Sequence, residues 1–359
     1  MRLHGLFVGI TCLGGALFSV GCTTTPKKGE ALFPVELVQA TAGKPHVRFF
    51  GVSTLEISDG NQSILIDGYF TRRSVIGGHL IGFWTNKRRV DFSWDKLGKP
   101  PAAILTAHNH FDHSLDSAFL ASRTTEKKIY GSVKTIEGVP ERFISKGLIG
   151  EALTDGKAFN VAGFKITPIE TDHSPDSWAM RLIKGVFFLP GNWQFDYDRS
   201  FAFLIEMKTS AVLVVPSAGL SKKCPKKGDQ NSVDDGKGSQ AFEGMIARIA
   251  EGRLKIDAVF LSIGNLDGQR HDTKIDYINE WVGRTGAKVV VPIHFDCLQG
   301  SLEHPLKLPP KCIDNPSAAV QLLEKETNDD VQILVMPINE PAAIPLQKFK
   351  DASSPPGFQ

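Results

Sequence analysis

Nine residues, Thr106-Ala107-His108-Asn109-His110-Phe111-Asp112-His113-Ser114, constrain this chain more than any other stretch. Three histidines and an aspartate follow directly on the apolar run Ala102-Ala103-Ile104-Leu105. An apolar run closed by a polar cluster predicts a buried strand that ends in a loop. If the backbone is still extended there, alternate side chains share a face, so His108 and His110 aim at one point. Asp112 and His113 lie past the turn and aim at a second point. The stretch from Ser114 to Leu120 reads as a helix start, with Ser114 as its N-cap. Zinc accepts imidazole nitrogen and carboxylate oxygen, and a catalytic zinc site keeps one position open. The local reading is therefore one or two metal ions on a strand-to-helix loop. Histidine supplies only 10 of 359 residues. A chance His-x-His-x-Asp-His is then expected on the order of 10⁻³ to 10⁻⁴ times per chain.

His108-Asn109-His110-Phe111-Asp112-His113 resembles the signature of the metallo-β-lactamase-fold hydrolase superfamily. The resemblance implies an α/β (α+β) fold, a four-layer αβ/βα sandwich with a dinuclear metal centre on loops between two sheets. It implies His173, after the strand end Ile169-Glu170-Thr171, as third ligand of a first site with His108 and His110. It implies Asp112, His113 and His294 as the second site, His294 closing the run Val289-Val290-Val291-Pro292-Ile293. Asp112 is also the group expected to orient the attacking water. Asp67, after Ile64-Leu65-Ile66, resembles the carboxylate that buttresses the metal loop; it reads equally well as a strand-ending turn residue.

One position departs from the pattern. Where the family carries an aspartate bridging both metals, Pro216-Ser217-Ala218-Gly219 places Ser217. A serine hydroxyl is neutral and a poor ligand. The expected cofactor is zinc, one or two ions, with manganese or iron as other candidates. The implied activity is a zinc-dependent hydrolase using a metal-bound hydroxide on a phosphodiester, lactone or ester. Gly51-Val52-Ser53-Thr54-Leu55-Glu56-Ile57, with Ile64 to Asp67, is most similar to the branch of lactonases and N-acyl-phosphatidylethanolamine phosphodiesterases. Two alternatives stand beside it: a non-catalytic metal-binding membrane lipoprotein with an incomplete second site, and an iron-dependent redox enzyme.

The N-terminus opens with Met1-Arg2-Leu3-His4, and the apolar stretch Leu6 to Val20 has signal-peptide length. Ser19-Val20-Gly21-Cys22 resembles a bacterial lipoprotein box. The expected organisation is a signal peptide over 1–21, a lipidated tether over 22–45, a hydrolase domain over 46–345 and a flexible tail over 346–359. Acylated Cys22 would hold the chain on a membrane of the bacterial envelope, on the periplasmic side. Net charge +2 gives no electrostatic footprint for nucleic acid. The expected partners are thus the membrane and a small-molecule or lipid substrate. Cys297 and Cys312 bracket a Pro-rich loop and are expected to pair, leaving Cys224. Tyr69 to Pro101 reads as a long connection over the site mouth. Its Arg72, Arg73, Lys87, Arg88 and Arg89 either contact substrate or form a solvated basic face. His79 is expected not to be a ligand, and no internal repeat is evident in the sequence.

Overall fold

Short runs of Val, Ile, Leu and Phe with both faces buried build the centre of the molecule. Continuous apolar strands are what a sheet covered on both sides requires. The computed structural model describes residues 40–41, 43–73, 84–173, 198–221, 238–304, 306–309, 314–336 and 339–344. Cys22, His79, Cys224 and Cys312 lie outside the described residues. Cys297 is disulfide-bonded.

The first sheet contains β1 (His46–Phe49), β2 (Leu55–Ser58), β3 (Ser63–Ile66), β4 (Ala103–Leu105), β5 (Lys128–Gly131) and β6 (Ile149–Ala152). The second contains β7 (Phe159–Val161), β8 (Phe164–Thr171), β9 (Ser200–Glu206), β10 (Ala211–Val215), β11 (Ala258–Ser262), β12 (Val289–Ile293) and β13 (Gln332–Ile333). A last strand, β14 (Pro341–Ala343), returns to the first sheet beside β1. Two seven-stranded sheets result, in the orders β14-β1-β2-β3-β4-β5-β6 and β13-β12-β11-β10-β9-β8-β7.

Each sheet begins as an antiparallel meander and continues as parallel strands. β1 to β3 pair antiparallel, then β3 to β6 parallel. β7 to β10 pair antiparallel, then β10 to β13 parallel. The halves thus repeat in structure although the sequence shows no repeat. The second sheet starts at the hairpin of β7 and β8.

The parallel pairings need crossovers, and helices supply them. These are α1 (Lys87–Trp94), α2 (Phe111–Ser114), α3 (Ser117–Ala121), α4 (Val133–Glu137), α5 (Glu141–Ile144), α6 (Gln240–Ala250), α7 (His271–Ile278) and α8 (Pro316–Glu326). Serine or asparagine caps several of them: Asn86 accepts from Arg89 N–H, Ser132 from Thr135 N–H and Ser239 from Phe242 N–H. One contiguous apolar core takes residues from both sheets, Ile64 and Leu105 from the first and Phe203 and Val290 from the second.

Glu56 on β2 is a buried carboxyl in this core. Burial pushes its pKa up to about 7, against the pull of Arg48 and a Ser63 hydrogen bond. The Arg48 guanidinium lies 2.7 Å away, so desolvation outweighs a close ion pair here. The folded chain therefore keeps this proton to a higher pH than the unfolded chain. The stability involved is fully present below about pH 4.5 and is lost as pH rises through about 7. Glu56→Gln is expected to flatten this loss. Urea unfolding at about pH 5 and about pH 8 checks it: wild type should weaken more than the variant. Equal weakening would refute the assignment.

Candidate metal centre

Strand direction gathers the candidate residues. β3 and β4 run parallel, β8 and β10 are each antiparallel to β9, and β10 to β12 are parallel. Asp67 follows β3, His108 to His113 follow β4, His173 follows β8, Ser217 follows β10 and His294 follows β12. Each sits past the C-terminal end of its strand, where open α/β sheets carry their sites.

Two donor clusters form there. His108, His110 and His173 offer ring nitrogens within 4.8 Å of one another, and Asp112, His113 and His294 offer a second such set. His108 adjoins both: its ring centroid is 4.7 Å from those of His110 and His173 and 3.9 Å from that of His113. Asp112 Oδ2 lies 3.3 Å from His294 Nε2 and 3.6 Å from His113 Nε2. All six residues expected at the centre from the sequence are brought together.

The electrostatics suit a cation. Burial, and then the neighbouring imidazoles, hold the His108 pKa well below the ordinary range, which keeps the ring neutral and able to ligate. Burial pushes Asp112 up, but the rings of His113, His294 and His110 outweigh it and keep this carboxylate ionised. Burial pushes His113 down, but Asp67 and Asp112 raise it above its usual value. Three nitrogens in one cluster, and two nitrogens with a carboxylate in the other, are donor sets that zinc accepts.

Asp67 anchors the loop. Its Oδ2 lies 2.7 Å from His113 Nδ1 and accepts from the Ser53 hydroxyl at 2.5 Å. Its Oδ1 accepts the Ala107 N–H at 2.8 Å. A carboxylate on Nδ1 fixes ring orientation and leaves Nε2 for the cluster. Asp67 thus bonds the His113 ring, the Ser53 hydroxyl and the Ala107 amide at once.

The helix after the motif starts earlier than the sequence predicts. Phe111 to Ser114 form α2, His110 holds its N-cap position, and Ser114 donates back to the carbonyls of Asn109 and His110. The turn therefore begins inside the motif and swings Asp112 and His113 toward the second cluster.

Residues 63–295 match the Beta-lactamase superfamily domain. This chain belongs to that superfamily. Among curated proteins no sequence matches it. It is similar to Igni18, a metallo hydrolase of the archaeon Ignicoccus hospitalis, at 16% identity and TM-score 0.48, covering 83% of this chain and 97% of that one. It is similar to CmlA, a diiron β-hydroxylase of Streptomyces venezuelae, at 13% and 0.49, covering 86% and 55%. An isothiocyanate hydrolase from Delia radicum gut bacteria is similar at 13% and 0.45, covering 84% and 99%.

The loop after β10 carries Ser217 and packs tightly. Ser217 is buried. Trp281 Nε1–H donates to the Gly219 carbonyl at 2.9 Å, and Gln269 Nε2–H to the Ala218 carbonyl at 3.1 Å. A Cβ on Gly219 would stand 1.6 Å from the Asp172 carbonyl oxygen. Only glycine lets this loop press against the segment that carries His173.

Several contributors were not read from the sequence. Ser53 is one; the register Leu55↔Ile66 carries it toward Asp67, so the β2–β3 hairpin held the signal. A second group fixes His294. Its backbone has φ +59°, and its N–H donates to the Val52 carbonyl at 2.6 Å. The Val52 N–H donates to Asp296 Oδ1 at 2.7 Å, and Asp296 Oδ2 accepts from Arg72 at 2.5 Å. Arg72 also donates to the Cys297 carbonyl. Val52, Asp67, Arg72 and His294 are all non-glycine residues with positive φ. Such strained backbone persists where its surroundings over-determine it, and it gathers at functional sites.

Proposed function

We propose that this chain is a metal-dependent hydrolase of a phosphodiester, lactone or ester. We further infer that it is held on the periplasmic side of a bacterial envelope membrane by acylated Cys22. The observation that carries the reaction class is the pair of three-residue donor clusters meeting at His108. His108, His110 and His173 would hold the first ion, and Asp112, His113 and His294 the second. When bound, zinc lowers the pKa of a coordinated water toward ~7 and polarises the oxygen under attack. The chain's own work is positional. Asp67 and Ser53 set the His113 ring, and Val52 sets the backbone of His294. Asp112, held ionised beside two imidazoles, would orient and accept a proton of the attacking water at its carboxylate.

Residues 46–345 would form the catalytic domain, behind a signal peptide (1–21) and a lipidated segment (22–45). The branch of lactonases and N-acyl-phosphatidylethanolamine phosphodiesterases supplies the substrate classes. Ser217 favours a second reading, a metal-binding lipoprotein without turnover. One experiment separates them. Zinc content and a panel of chromogenic phosphodiesters, lactones and esters are measured on wild type and His110→Ala. The variant is expected to lose the first ion and at least about 100-fold in rate, since removing only an outer partner of a ligand already costs about 10–100-fold. Equal rates in both proteins would end the hydrolase reading.

A further inference from the structure

The connection from Tyr69 to Pro101 is not a plain linker. It contains α1, and a cavity of about 510 Å³ opens between Arg73, Trp84 and the first turn of that helix. Arg73, Lys87, Arg88 and Arg89 supply four cationic side chains to its lining, and among the described residues no carboxylate lines it. Isolated surface charges contribute little. Several of one sign converging on a concavity focus the field and concentrate an oppositely charged ligand.

Two of the four cations are held before any ligand arrives. The Arg73 guanidinium lies 3.8 Å from the centre of the Trp84 ring, a cation–π contact that holds it in place. Arg89 donates to the carbonyls of Thr71 and Arg72 at 2.8 and 2.9 Å. The Asn86 N–H donates to Thr71 Oγ1 at 2.7 Å, and Thr71 is in turn bonded to buried Asp116 at 2.7 Å through both its N–H and its hydroxyl. A preformed site loses less freedom on binding.

Tyr69 ties the cavity wall to the metal loop. Tyr69 donates to the Arg73 carbonyl at 3.0 Å and accepts the Arg73 N–H at 2.7 Å. Its ring meets Phe111, between His110 and Asp112, at 5.7 Å. On another side, Arg88 lies 3.8 Å from Glu303, on the segment that leaves the centre after His294. One aromatic pair separates the basic wall from the metal loop.

We propose that this cavity seats an anionic oxygen group of the substrate, a phosphate or carboxylate, while the bond to be cleaved lies over the metal centre. The inference rests on the hydrolase reading and narrows its substrate class to anions. Arginine forks and a lysine match either group.

Two measurements test it on the purified full chain. In the first, sulfate is titrated while tryptophan emission is followed. Wild type should respond saturably, Trp84→Phe should lose the response, and Arg73→Gln with Lys87→Gln should weaken the affinity at least tenfold. No response in wild type, or no weakening in the double variant, overturns the proposal. In the second, two esters with one leaving group and either a neutral or a carboxylate-bearing acyl chain are compared. The double variant should lower the anionic-to-neutral ratio of kcat/KM at least tenfold, mainly through KM. An unchanged ratio overturns the proposal. If wild type cleaves no ester or phosphodiester, the hydrolase reading fails, and the sulfate titration still decides whether the cavity binds an anion.

Discussion

Asp296→Asn is expected to destabilise the fold by about 3–5 kcal/mol, and Arg72→Met by a similar amount, because each strands one partner of a buried ion pair. The Arg72 side chain is 1% exposed and that of Asp296 0%. Removing the Asp296 charge leaves a guanidinium with no solvent to take its place. Removing Arg72 leaves a carboxylate whose other bond, to the Val52 N–H, offsets only part of its desolvation. Replacing both by Met and Leu should recover much of the loss, since no charge is then left buried. Urea unfolding of the two single variants and the double variant measures the coupling. Single variants within about 0.5 kcal/mol of wild type would mean the pair is not structural. A second consequence separates local from global damage. The same pair fixes the Val52 carbonyl that receives the His294 N–H. Binding of a metal ion at Asp112, His113 and His294 should therefore weaken by about 10–100-fold, while binding at the three-histidine cluster changes little.

That clamp marks the limit of what the sequence could tell. His108 to His113 were legible because short-range spacing alone puts donors together. His173 and His294 were legible through the resemblance and through the strands they terminate. Arg72 and Asp296 stand 224 residues apart, and no periodicity links two such charges. The pairing of β14 with β1 joins the chain's far ends in the same way. Helix α1 was missed for a different reason. Its sequence, Lys87-Arg88-Arg89-Val90-Asp91-Phe92-Ser93-Trp94, buries only Val90 and Ser93, so it has almost no apolar stripe. Asn86 three residues before Arg89 was the readable cue, an N-cap in an otherwise basic run. The helix inside the metal motif was shifted by one turn because its first residues look like ligands before they look like a helix.

Ser217→Asp is expected to convert a centre that retains one ion into one that retains two. The six donors of the two clusters carry a single negative charge, on Asp112. Two divalent cations a few ångströms apart repel each other strongly in a low-dielectric site. A bridging carboxylate binds both and screens that repulsion; a hydroxyl does neither. Three neutral imidazoles still suffice for one zinc with an open position, so the first ion should be held tightly by wild type and the second lost on dialysis. The loop that carries Ser217 is pinned through the Ala218 and Gly219 carbonyls, so the substitution alters a side chain within a fixed frame. Since disturbing a residue one bond removed from a metal costs about 10–100-fold, gaining a direct ligand should strengthen the second ion by at least about 100-fold. Metal content after dialysis, and a competitive zinc titration, report it. Ser217→Asn controls for size, because the amide has the same shape without the charge and should leave the second ion weak. If the aspartate and asparagine variants retain the same number of ions as wild type, position 217 does not face the metals and the asymmetry must have another source. If wild type already retains two, the single charge on Asp112 suffices, and the lone-carboxylate argument for a labile second ion is wrong.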